Sequence, residues 1–384
     1  MTIVAAPDSL KGSLTACQAS ELIAKAAKRV FDNPEVRLAP VADGGEGSID
    51  ALISAANGRT EICEVTGPLG DPVKAKLGWL PDGACVIELA QASGLTLVPP
   101  EFRNPLYATS RGTGELIAKA LSAGCREIYI AIGGSATHDC GVGLLRALGM
   151  EFLDAEGRPT PEGGRGLGQV RTADIGRLRA DLKEARITVI CDVTNPLTGP
   201  NGAAFIYSEQ KGADAYMREE LERGTLSFAA AMKQCLGRDI ENFPGAGAAG
   251  GVGSALGGIL RAQIKPGIET VLDMMRFNDI LTGADLCVIA EGRLDSQSIA
   301  FGKAAAGVAK RCAARNIPVA MIAGGMAGDI SSLYDMAEAS VITAVNAPMA
   351  LDEAMENAAA LFEDAAERMF RFIRMGARLR AKNI

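Results

Sequence analysis

The sequence predicts an α/β protein in which a doubly wound parallel sheet domain, built from both ends of the chain, is interrupted by a second, inserted α/β domain. Three observations indicate this class. Short β-branched runs alternate with turns rich in Gly, Asp and Ser and with amphipathic helices. Glycine is abundant, with 45 residues, while aromatic residues make up only 4% of the chain, so the core is expected to be aliphatic. A length of 384 residues favours two domains.

Two strand–turn–helix units open the chain. The first consists of a strand at Thr2–Ala6, a loop at Pro7–Leu14 and a helix that continues to about Val30. The second consists of a strand at Val36–Ala42, a glycine-rich turn at Asp43–Gly47 and a helix that continues through Ala56. Thr15 and Gln18 have the spacing of a capping box, which predicts the start of the first helix.

After Asn57-Gly58 the strands become shorter and are separated by Gly-Pro and Pro-Asp-Gly turns, which indicates an antiparallel region. The predicted strands of this region are Thr60–Val65, Val73–Leu80 and Cys85–Leu89. Two further strands follow, at Glu127–Ile132 and Ile187–Cys191, together with two helices, at Gly114–Leu121 and Gly141–Leu148.

Regular α/β alternation returns from Pro266. Its predicted strands are Leu286–Ala290, Val319–Ile322 and Ser340–Ala344. A loop at Glu291–Gly302 and a helix at Lys303–Arg315 connect the first two strands. We therefore expect residues 1–70 and 265–384 to form one discontinuous domain and residues 71–264 to form the inserted domain. The active site is expected in the cleft between them, since ligands commonly bind at such places. Two sequential domains are the alternative.

Charge and cysteine usage narrow the function classes. A formal charge of −7 and a pI near 5.1 argue against nucleic acid or an anionic membrane as the main partner. The nine cysteines are scattered singly without a C-x-x-C pair, so a disulfide framework or zinc site is not expected, and a cytoplasmic location is favoured. The N-terminal apolar run ends at Asp8, which indicates a strand and not a signal peptide. Homo-oligomerisation remains open.

Carboxylates recur at or just past the predicted strand ends. In an open parallel sheet these ends form the ligand crevice, and helix N-termini there offer free N–H groups to anions. Carboxylates beside glycine-rich turns are typical of Mg-nucleotide sites, because the ion takes oxygen ligands and the phosphates take bare amides. Each acid taken alone is better explained as a helix cap or turn residue, but five acids in equivalent places favour a function. The five residues are Asp8, Asp43, Asp192, Glu291 and Asp295.

Three basic residues, Lys11, Arg293 and Lys303, occur in the same loops. Lys11 stands between Ser9 and Gly12, where its ammonium could reach a phosphate or a carboxylate. A solvated surface lysine is the alternative.

Other motifs lack the context that their chemistry needs. Gly245–Gly250 matches G-x-G-x-x-G, but no hydrophobic strand precedes it, so phosphate binding or tight packing is favoured over a dinucleotide site. Gly302-Lys303 is followed by Ala304, so no P-loop is present. His138 is the single histidine and is interpreted as a loop residue. Ser135, His138 and Asp139 are too close in sequence to form a hydrolase triad readily.

Taken together, these loops resemble the bacterial glycerate kinase family of the type 1 class. Six segments carry the resemblance, occur in the family's order and span most of the chain, which makes the match specific. They are Ala6-Pro-Asp-Ser-Leu-Lys-Gly-Ser13, Val41-Ala-Asp-Gly-Gly-Glu-Gly47, Gly133-Gly-Ser-Ala-Thr137, Cys191-Asp-Val-Thr-Asn-Pro-Leu197, Pro244-Gly-Ala-Gly-Ala-Ala-Gly-Gly251, and Glu291-Gly-Arg-Leu-Asp-Ser-Gln297 with Gly302-Lys303.

The resemblance implies ATP-dependent phosphorylation of glycerate, with 2-phosphoglycerate favoured over 3-phosphoglycerate. It also implies a flavodoxin-like domain interrupted by a second α/β domain. Three departures occur: His138 and Cys140 stand where Asn or Val and Gly are expected, and Ser298 stands where Thr is usual.

The resemblance and the loop chemistry together suggest roles, although the sequence leaves their division open. Lys11 or Arg293 is expected to bind the carboxylate and phosphates, and Asp192 to act as the base. Asp43, with Glu46 or Asp295, is expected to bind Mg²⁺, which enters with ATP. The residues expected to bind substrate or phosphate are Ser9, Gly12, Ser13, Gly44, Gly45, Gly133, Gly134, Ser135, Gly247, Gly250 and Lys303.

Two other functions are alternatives. A nicotinamide-dependent oxidoreductase of small hydroxy acids would use Gly245–Gly250 for the pyrophosphate and His138 as its catalytic histidine. A metabolite-sensing regulator would need a DNA-binding or partner-binding module, and the sequence shows neither a basic helix nor an appended domain.

Overall fold

The structure, a computed structural model, describes residues 1–10, 12–42, 48–294 and 304–380. Within these ranges the chain divides into two compact units. The first lies within Met1–Asp43, Asp50–Asn57 and Gly267–Ile384, and the second within Gly44–Ile49 and Gly58–Pro266.

Strands and helices are numbered along the chain. The strands are β1 (Thr2–Pro7), β2 (Glu35–Leu38), β3 (Arg59–Thr66), β4 (Pro72–Trp79), β5 (Cys85–Glu88), β6 (Glu127–Ala131), β7 (Glu151–Leu153), β8 (Thr172–Asp174), β9 (Arg186–Ile190), β10 (Gln263–Lys265), β11 (Leu286–Leu294), β12 (Val319–Met326) and β13 (Ala339–Thr343).

The helices are α1 (Ala16–Val30), α2 (Ser48–Ala56), α3 (Leu89–Ser93), α4 (Arg111–Ser122), α5 (Val142–Ala147), α6 (Ala203–Tyr207), α7 (Ala215–Leu236), α8 (Ala248–Gly253), the π-helical turn α9 (Ser254–Ile259), α10 (Gly267–Met274), α11 (Phe277–Ile280), α12 (Ala304–Ala313), α13 (Ser331–Met336), α14 (Leu351–Glu356) and α15 (Ala358–Arg380). Short 3₁₀ turns include Ala180–Lys183 and Glu209–Lys211.

The first unit is built on a five-stranded parallel sheet with the order β13-β12-β11-β1-β2. The two ends of the chain therefore meet at β1 and β11. Its core joins the sheet to α1 and α15, where Ile23, Val288 and Phe362 are fully buried. This packing removes aliphatic and aromatic side chains from water, which is the main favourable term in folding.

Helix α1 begins as its sequence predicts. The Thr15 hydroxyl accepts a 3.1 Å hydrogen bond from the Gln18 N–H, and the Thr15 N–H donates to the Gln18 side chain at 3.0 Å. These two bonds satisfy N–H groups that a helix start otherwise leaves without partners. The predicted capping box is confirmed.

The second unit contains a six-stranded mixed sheet with the order β10-β9-β6-β5-β4-β3 and a separate hairpin of β7 and β8. Strands β3, β4 and β5 pair antiparallel, as predicted for this region, and β5, β6, β9 and β10 pair parallel. The carboxyl ends of the four parallel strands lie at one edge, with Glu88, Ala131 and Ile190 in register.

Strand pairing shifts the boundary between the units relative to the sequence-based position at residue 70. Strands β3 and β4 are joined by a turn in which the Gly67 N–H donates to the Asp71 carbonyl at 2.7 Å. Residue 70 lies inside this hairpin, so β3 belongs to the second unit and the boundary lies at Asn57.

Three strand ends, those of β2, β11 and β12, also differ from prediction by four residues. Strand β11 continues past Ala290 to Leu294, so Glu291 and Arg293 lie in a strand instead of a loop. The extension pairs with β12, where a Cβ on Gly324 would lie only 2.5 Å from the Gly292 oxygen. Strand β2 ends at Leu38, although the N–H groups of Ala39 and Val41 still donate to the Ala5 and Pro7 carbonyls of β1 at 2.8 and 3.0 Å.

Among the described residues, no helix combines the length and hydropathy needed to cross a bilayer.

Candidate active site

Apart from Gly247 and Gly250, the predicted site residues that the structure describes lie at the carboxyl edges of two sheets. At the first sheet, Asp8 directly follows β1 and is nearly buried. Its N–H donates to the Ala290 carbonyl of β11 at 3.0 Å, and its carboxylate accepts the Ser9 N–H at 2.6 Å. Asp8 therefore shapes the loop that begins at this strand end.

The loop after β1 closes as a tight turn. The Leu10 carbonyl accepts both the N–H and the hydroxyl of Ser13, each at 2.9 Å. Gly12 has φ +81°, and a Cβ there would lie 2.8 Å from the terminal methyl of Met355. The Ser13 hydroxyl is thus a donor within its own turn, and only its lone pairs remain for a ligand.

Arg293 lies near the end of β11, opposite Gly325 of β12, and its side chain is exposed. Seven further predicted site residues lie outside the described residues: Lys11, Asp43, Gly44, Gly45, Glu46, Asp295 and Lys303. Within the described ranges, no group of three or more His, Cys, Asp and Glu side chains is arranged to hold a metal ion.

At the second sheet, the loop Gly133–Thr137 follows β6. Gly134 is exposed with φ +73°, and its carbonyl accepts the Leu95 N–H at 2.8 Å. The Ala136 N–H donates to the Ser93 carbonyl at 2.9 Å. These bonds hold the loop at both ends, leaving Gly134 on the surface.

A buried lysine that sequence reasoning missed anchors the same loop. The Lys211 ammonium donates to the Ser135 hydroxyl and to the Thr137 carbonyl, both at 2.7 Å. Lys211 is only 2% exposed. Burial lowers the pKa of Lys211 to about 7, although the charge of Asp139 acts in the opposite direction.

His138 and Asp139 are core residues and not members of a triad. The His138 Nε2 is 3.0 Å from the Thr225 hydroxyl, and burial, with the Lys211 charge, lowers the pKa of His138 to about 3. The imidazole is therefore neutral. The Asp139 carboxylate accepts the N–H and hydroxyl of Ser110 at 2.9 and 2.8 Å, together with two glycine amides. Burial raises the pKa of Asp139 against these bonds. His138 lies in the loop after β6, as its sequence position predicts, and this loop residue is fully buried.

Cys140, where the resemblance leads us to expect glycine, has φ +49°, a conformation that glycine adopts at the lowest cost.

Asp192 is exposed and follows β9, the sheet neighbour of β6. Asn195 fixes the loop beyond it: its side chain donates to the Asn201 carbonyl at 2.9 Å and accepts the Tyr207 hydroxyl at 2.6 Å. Asp192 and the Gly133–Thr137 loop thus follow adjacent parallel strands.

Gly247 and Gly250 are buried by backbone packing. A Cβ on Gly247 would lie 2.1 Å from the Pro196 oxygen, and one on Gly250 would lie 2.0 Å from the Thr137 oxygen. Residues 238–244 form no strand, so the context of a dinucleotide fingerprint is missing. The structure gives these glycines a packing role, and their phosphate role stays a prediction.

Glu88, the last residue of β5, was also missed. It is only 2% exposed, and its carboxylate accepts the Ile49 N–H at 2.6 Å. Its position repeats the pattern of Asp192, since an apolar run ends in a carboxylate at the same edge of the sheet. The sequence therefore held a usable signal for Glu88.

Comparison with known proteins agrees with the predicted family. The model of the glycerate kinase family matches residues 3–374. A glycerate kinase of Bacillus subtilis (strain 168) is 44% identical over 364 residues, which cover 94% of this chain and 95% of the relative. A glycerate 2-kinase of Escherichia coli (strain K12) is 44% identical over 359 residues, covering 93% of this chain and 94% of the relative.

A crystal structure of a Salmonella typhimurium LT2 protein with the provisional name glycerate kinase 2 gives a TM-score of 0.88. It shares 40% sequence identity, and the match covers 98% of this chain and 99% of that chain. The predicted α/β fold class and the predicted family are both confirmed. The chain therefore belongs to the glycerate kinase family and is a kinase.

Proposed function

We propose that this kinase transfers the terminal phosphoryl group of Mg-ATP to the 2-hydroxyl of D-glycerate and releases 2-phosphoglycerate. The observation that carries the proposal is the carboxyl edge of the second sheet, where Ser135 and Asp192 follow the adjacent parallel strands β6 and β9. In open α/β sheets this edge is where ligands bind. The name of the Escherichia coli relative, glycerate 2-kinase, supports the choice of hydroxyl.

Asp192 is proposed as the base that accepts the proton of the attacking hydroxyl. A base has to reach the substrate, and the Asp192 side chain is exposed at the strand end. The loop that follows is held by Asn195, whose side chain both donates and accepts a hydrogen bond. A carboxylate on a fixed loop is suited to orienting the hydroxyl as well as taking its proton.

Anionic groups of the substrates are proposed to bind Arg293 and Lys11. The exposed Arg293 guanidinium can hold a carboxylate or phosphate with two parallel hydrogen bonds. Phosphoryl transfer depends mainly on positioning and charge stabilisation, so such cations act directly on the barrier. Lys303 and the amides of the glycine-rich loops are proposed as further phosphate contacts.

Mg²⁺ is proposed to enter with ATP and to neutralise charge on the phosphates. Asp43, Glu46 and Asp295 offer the carboxylate oxygens that this ion prefers. Their part is to orient the ion and the phosphates bound to it.

The test is ATP consumption with D-glycerate, followed by phosphorus NMR of the product. We expect 2-phosphoglycerate and complete loss of turnover in excess EDTA. A product that is only 3-phosphoglycerate would refute the choice of hydroxyl. Turnover undiminished by EDTA would refute the metal requirement, and reduction of NAD without ATP consumption would refute phosphoryl transfer itself.

A further inference from the structure

Lys211 is a buried amine that forms no ion pair within the described residues, although the charge of Asp139 acts on it from beyond ion-pair distance. It ends the 3₁₀ turn Glu209–Lys211, and among the described residues no carboxylate lies within ion-pair distance of its ammonium. Burying a charge without an ionic partner is costly, and the cost is usually avoided by pairing or by losing the charge. A neutral amide side chain could join two loops without this cost. The lysine therefore indicates a role for an amine that gains a proton when an anion binds nearby.

We infer that Lys211 is a positioning residue of the phosphoryl-transfer site, one that holds the Ser135 hydroxyl as a donor toward an anionic oxygen of a bound substrate and adds positive charge beside that oxygen. This role presupposes the proposed function and assigns to it a residue from outside the glycine-rich loops. The shared ligand chemistry is an oxyanion, either the carboxylate of glycerate or a phosphate of the nucleotide.

The hydrogen bonding of Ser135 supports this direction. Its oxygen already accepts a proton from the Lys211 ammonium at 2.7 Å, so its own O–H has to point elsewhere. No acceptor for that proton occurs among the described residues. Ser135 is 7% exposed and stands next to the exposed Gly134. Its remaining proton is therefore available to a ligand at the surface of the loop.

The second bond of Lys211 holds the other end of the loop. The ammonium donates to the Thr137 carbonyl at 2.7 Å, so one side chain fixes both Ser135 and Thr137. The backbone next to Lys211 is packed tightly at Gly212. This glycine has φ +94°, and a Cβ there would lie 2.2 Å from the Arg103 backbone oxygen. This rigidity keeps the Ser135 donor in place before a ligand arrives.

The charge of Lys211 responds to few other groups. On the segment directly after the Gly133–Thr137 loop, His138 is neutral because its pKa is lowered to about 3. The Asp139 carboxylate there accepts hydrogen bonds from Ser110 and from glycine amides. On its own turn, the Glu209 carboxylate pairs with Arg218 at 3.1 Å. On α6, the Tyr207 hydroxyl donates to Asn195. With the pKa of Lys211 lowered to about 7, a bound anion should restore its proton.

The test is isothermal titration calorimetry of the full chain at pH 8 in two buffers with different ionisation enthalpies. D-glycerate is the carboxylate probe, and sulfate is a phosphate-like probe that does not titrate near neutral pH. Since an amine of pKa about 7 is about 90% neutral at pH 8, we expect uptake of about 0.9 proton with one of the two anions. The anion that shows the uptake identifies the group bound at Ser135.

Lys211→Met should abolish the linked proton uptake and weaken that anion about 10- to 100-fold at pH 6.5, as for loss of a charged hydrogen bond. In kinetics, KM for the matching substrate should rise and lose its increase above pH 7, while kcat changes less. Lys183→Met is the control, because Lys183 is an exposed lysine that ends another 3₁₀ turn of the same unit. Equal uptake in Lys211→Met and wild type would overturn the role.

Ser135→Ala keeps the lysine and removes the donor, so it tests the role even where Lys211→Met does not fold. It should raise the same KM about 10-fold while retaining the proton uptake. Absence of uptake in the wild type with both anions overturns the role of Lys211. A wild type without glycerate-dependent ATP turnover overturns the proposed function instead, and the sulfate titration still decides whether Lys211 binds an anion.

Discussion

The buried Glu88 carboxylate accepts a hydrogen bond of 2.6 Å from the Ile49 N–H, so the end of β5 is joined to the second residue of α2. The Gln91 side-chain amide donates to the other Glu88 oxygen at 3.3 Å. Ile49 comes two residues after the Asp43–Gly47 segment, which the sequence predicts to bind phosphate and metal. Glu88 therefore ties the chain next to that segment to the carboxyl edge of the second sheet.

Glu88→Ala is expected to lower the free energy of unfolding by about 2–3 kcal/mol, because the buried N–H of Ile49 loses a charged acceptor. Glu88→Gln should cost about 1 kcal/mol, since an amide oxygen can still accept the bond but carries no charge toward the helix start. Urea unfolding measures both changes. Glu64→Ala, at an exposed acid of β3, is the control and should change stability by no more than about 0.5 kcal/mol. Equal effects of the two alanine variants would contradict the anchoring role.

Asp192→Asn should separate binding from chemistry. The amide keeps the shape of the side chain but cannot accept the hydroxyl proton, so kcat should fall about 10²–10⁴-fold. KM for glycerate and ATP should change little, because the amide keeps the shape of the side chain and Asn195 still holds the loop. Steady-state kinetics and thermal unfolding measure the two effects.

The matched control is Asp174→Asn, an exposed aspartate at the end of β8. A stable Asp192→Asn enzyme with near wild-type turnover would remove Asp192 from the mechanism. Partial recovery of activity at high Mg²⁺ would make it a metal ligand instead. A lower melting temperature with unchanged turnover per folded molecule would reduce it to a turn residue.

Removal of the C-terminal segment should unfold the first sheet. A fragment of residues 1–265 lacks β11, β12 and β13, so β1 loses its neighbour on one side and keeps only β2. We expect the amides of Thr2–Pro7 to lose protection in hydrogen exchange, while those of β6 keep it as an internal control. Protection of β1 in a cooperatively melting fragment would favour sequential domains.

Local sequence patterns were sufficient to predict the α/β class and the positions of most strands. The capping box of Thr15 and Gln18 is an example, because it depends on residues three apart. Pairing between segments that are distant in sequence was harder to predict from local patterns. The extension of β11 through Arg293 depends on Gly324 in β12, and the unit to which β3 belongs depends on its hairpin with β4.

The site was predictable in the same uneven way. Glu88 carries the signal that identified Asp192, a carboxylate that ends an apolar strand, and could have been found from sequence. Lys211 carries no such signal, since it lies in a polar turn that resembles an ordinary surface segment. Its contact with Ser135 joins residues 76 positions apart, which only the folded chain reveals.

Gly250→Ala tests whether this glycine serves packing or phosphate binding. Gly250 and Gly237 both have φ +65°, so an alanine at either position is strained by about 1–2 kcal/mol. A Cβ at Gly250 would also lie 2.0 Å from the Thr137 oxygen, whereas a Cβ at Gly237 would meet open space. The clash forces the backbone to move and should cost a further 1–3 kcal/mol or so.

Urea unfolding of the two variants isolates this steric cost, because the conformational strain is the same in both. We expect Gly250→Ala to be less stable than Gly237→Ala by at least about 1 kcal/mol. The Thr137 carbonyl also accepts the Lys211 ammonium, so the displaced loop should weaken substrate binding as a consequence of the packing defect. If Gly250→Ala instead matches Gly237→Ala in stability and still raises KM for ATP, the glycine contacts phosphate and the packing role is wrong.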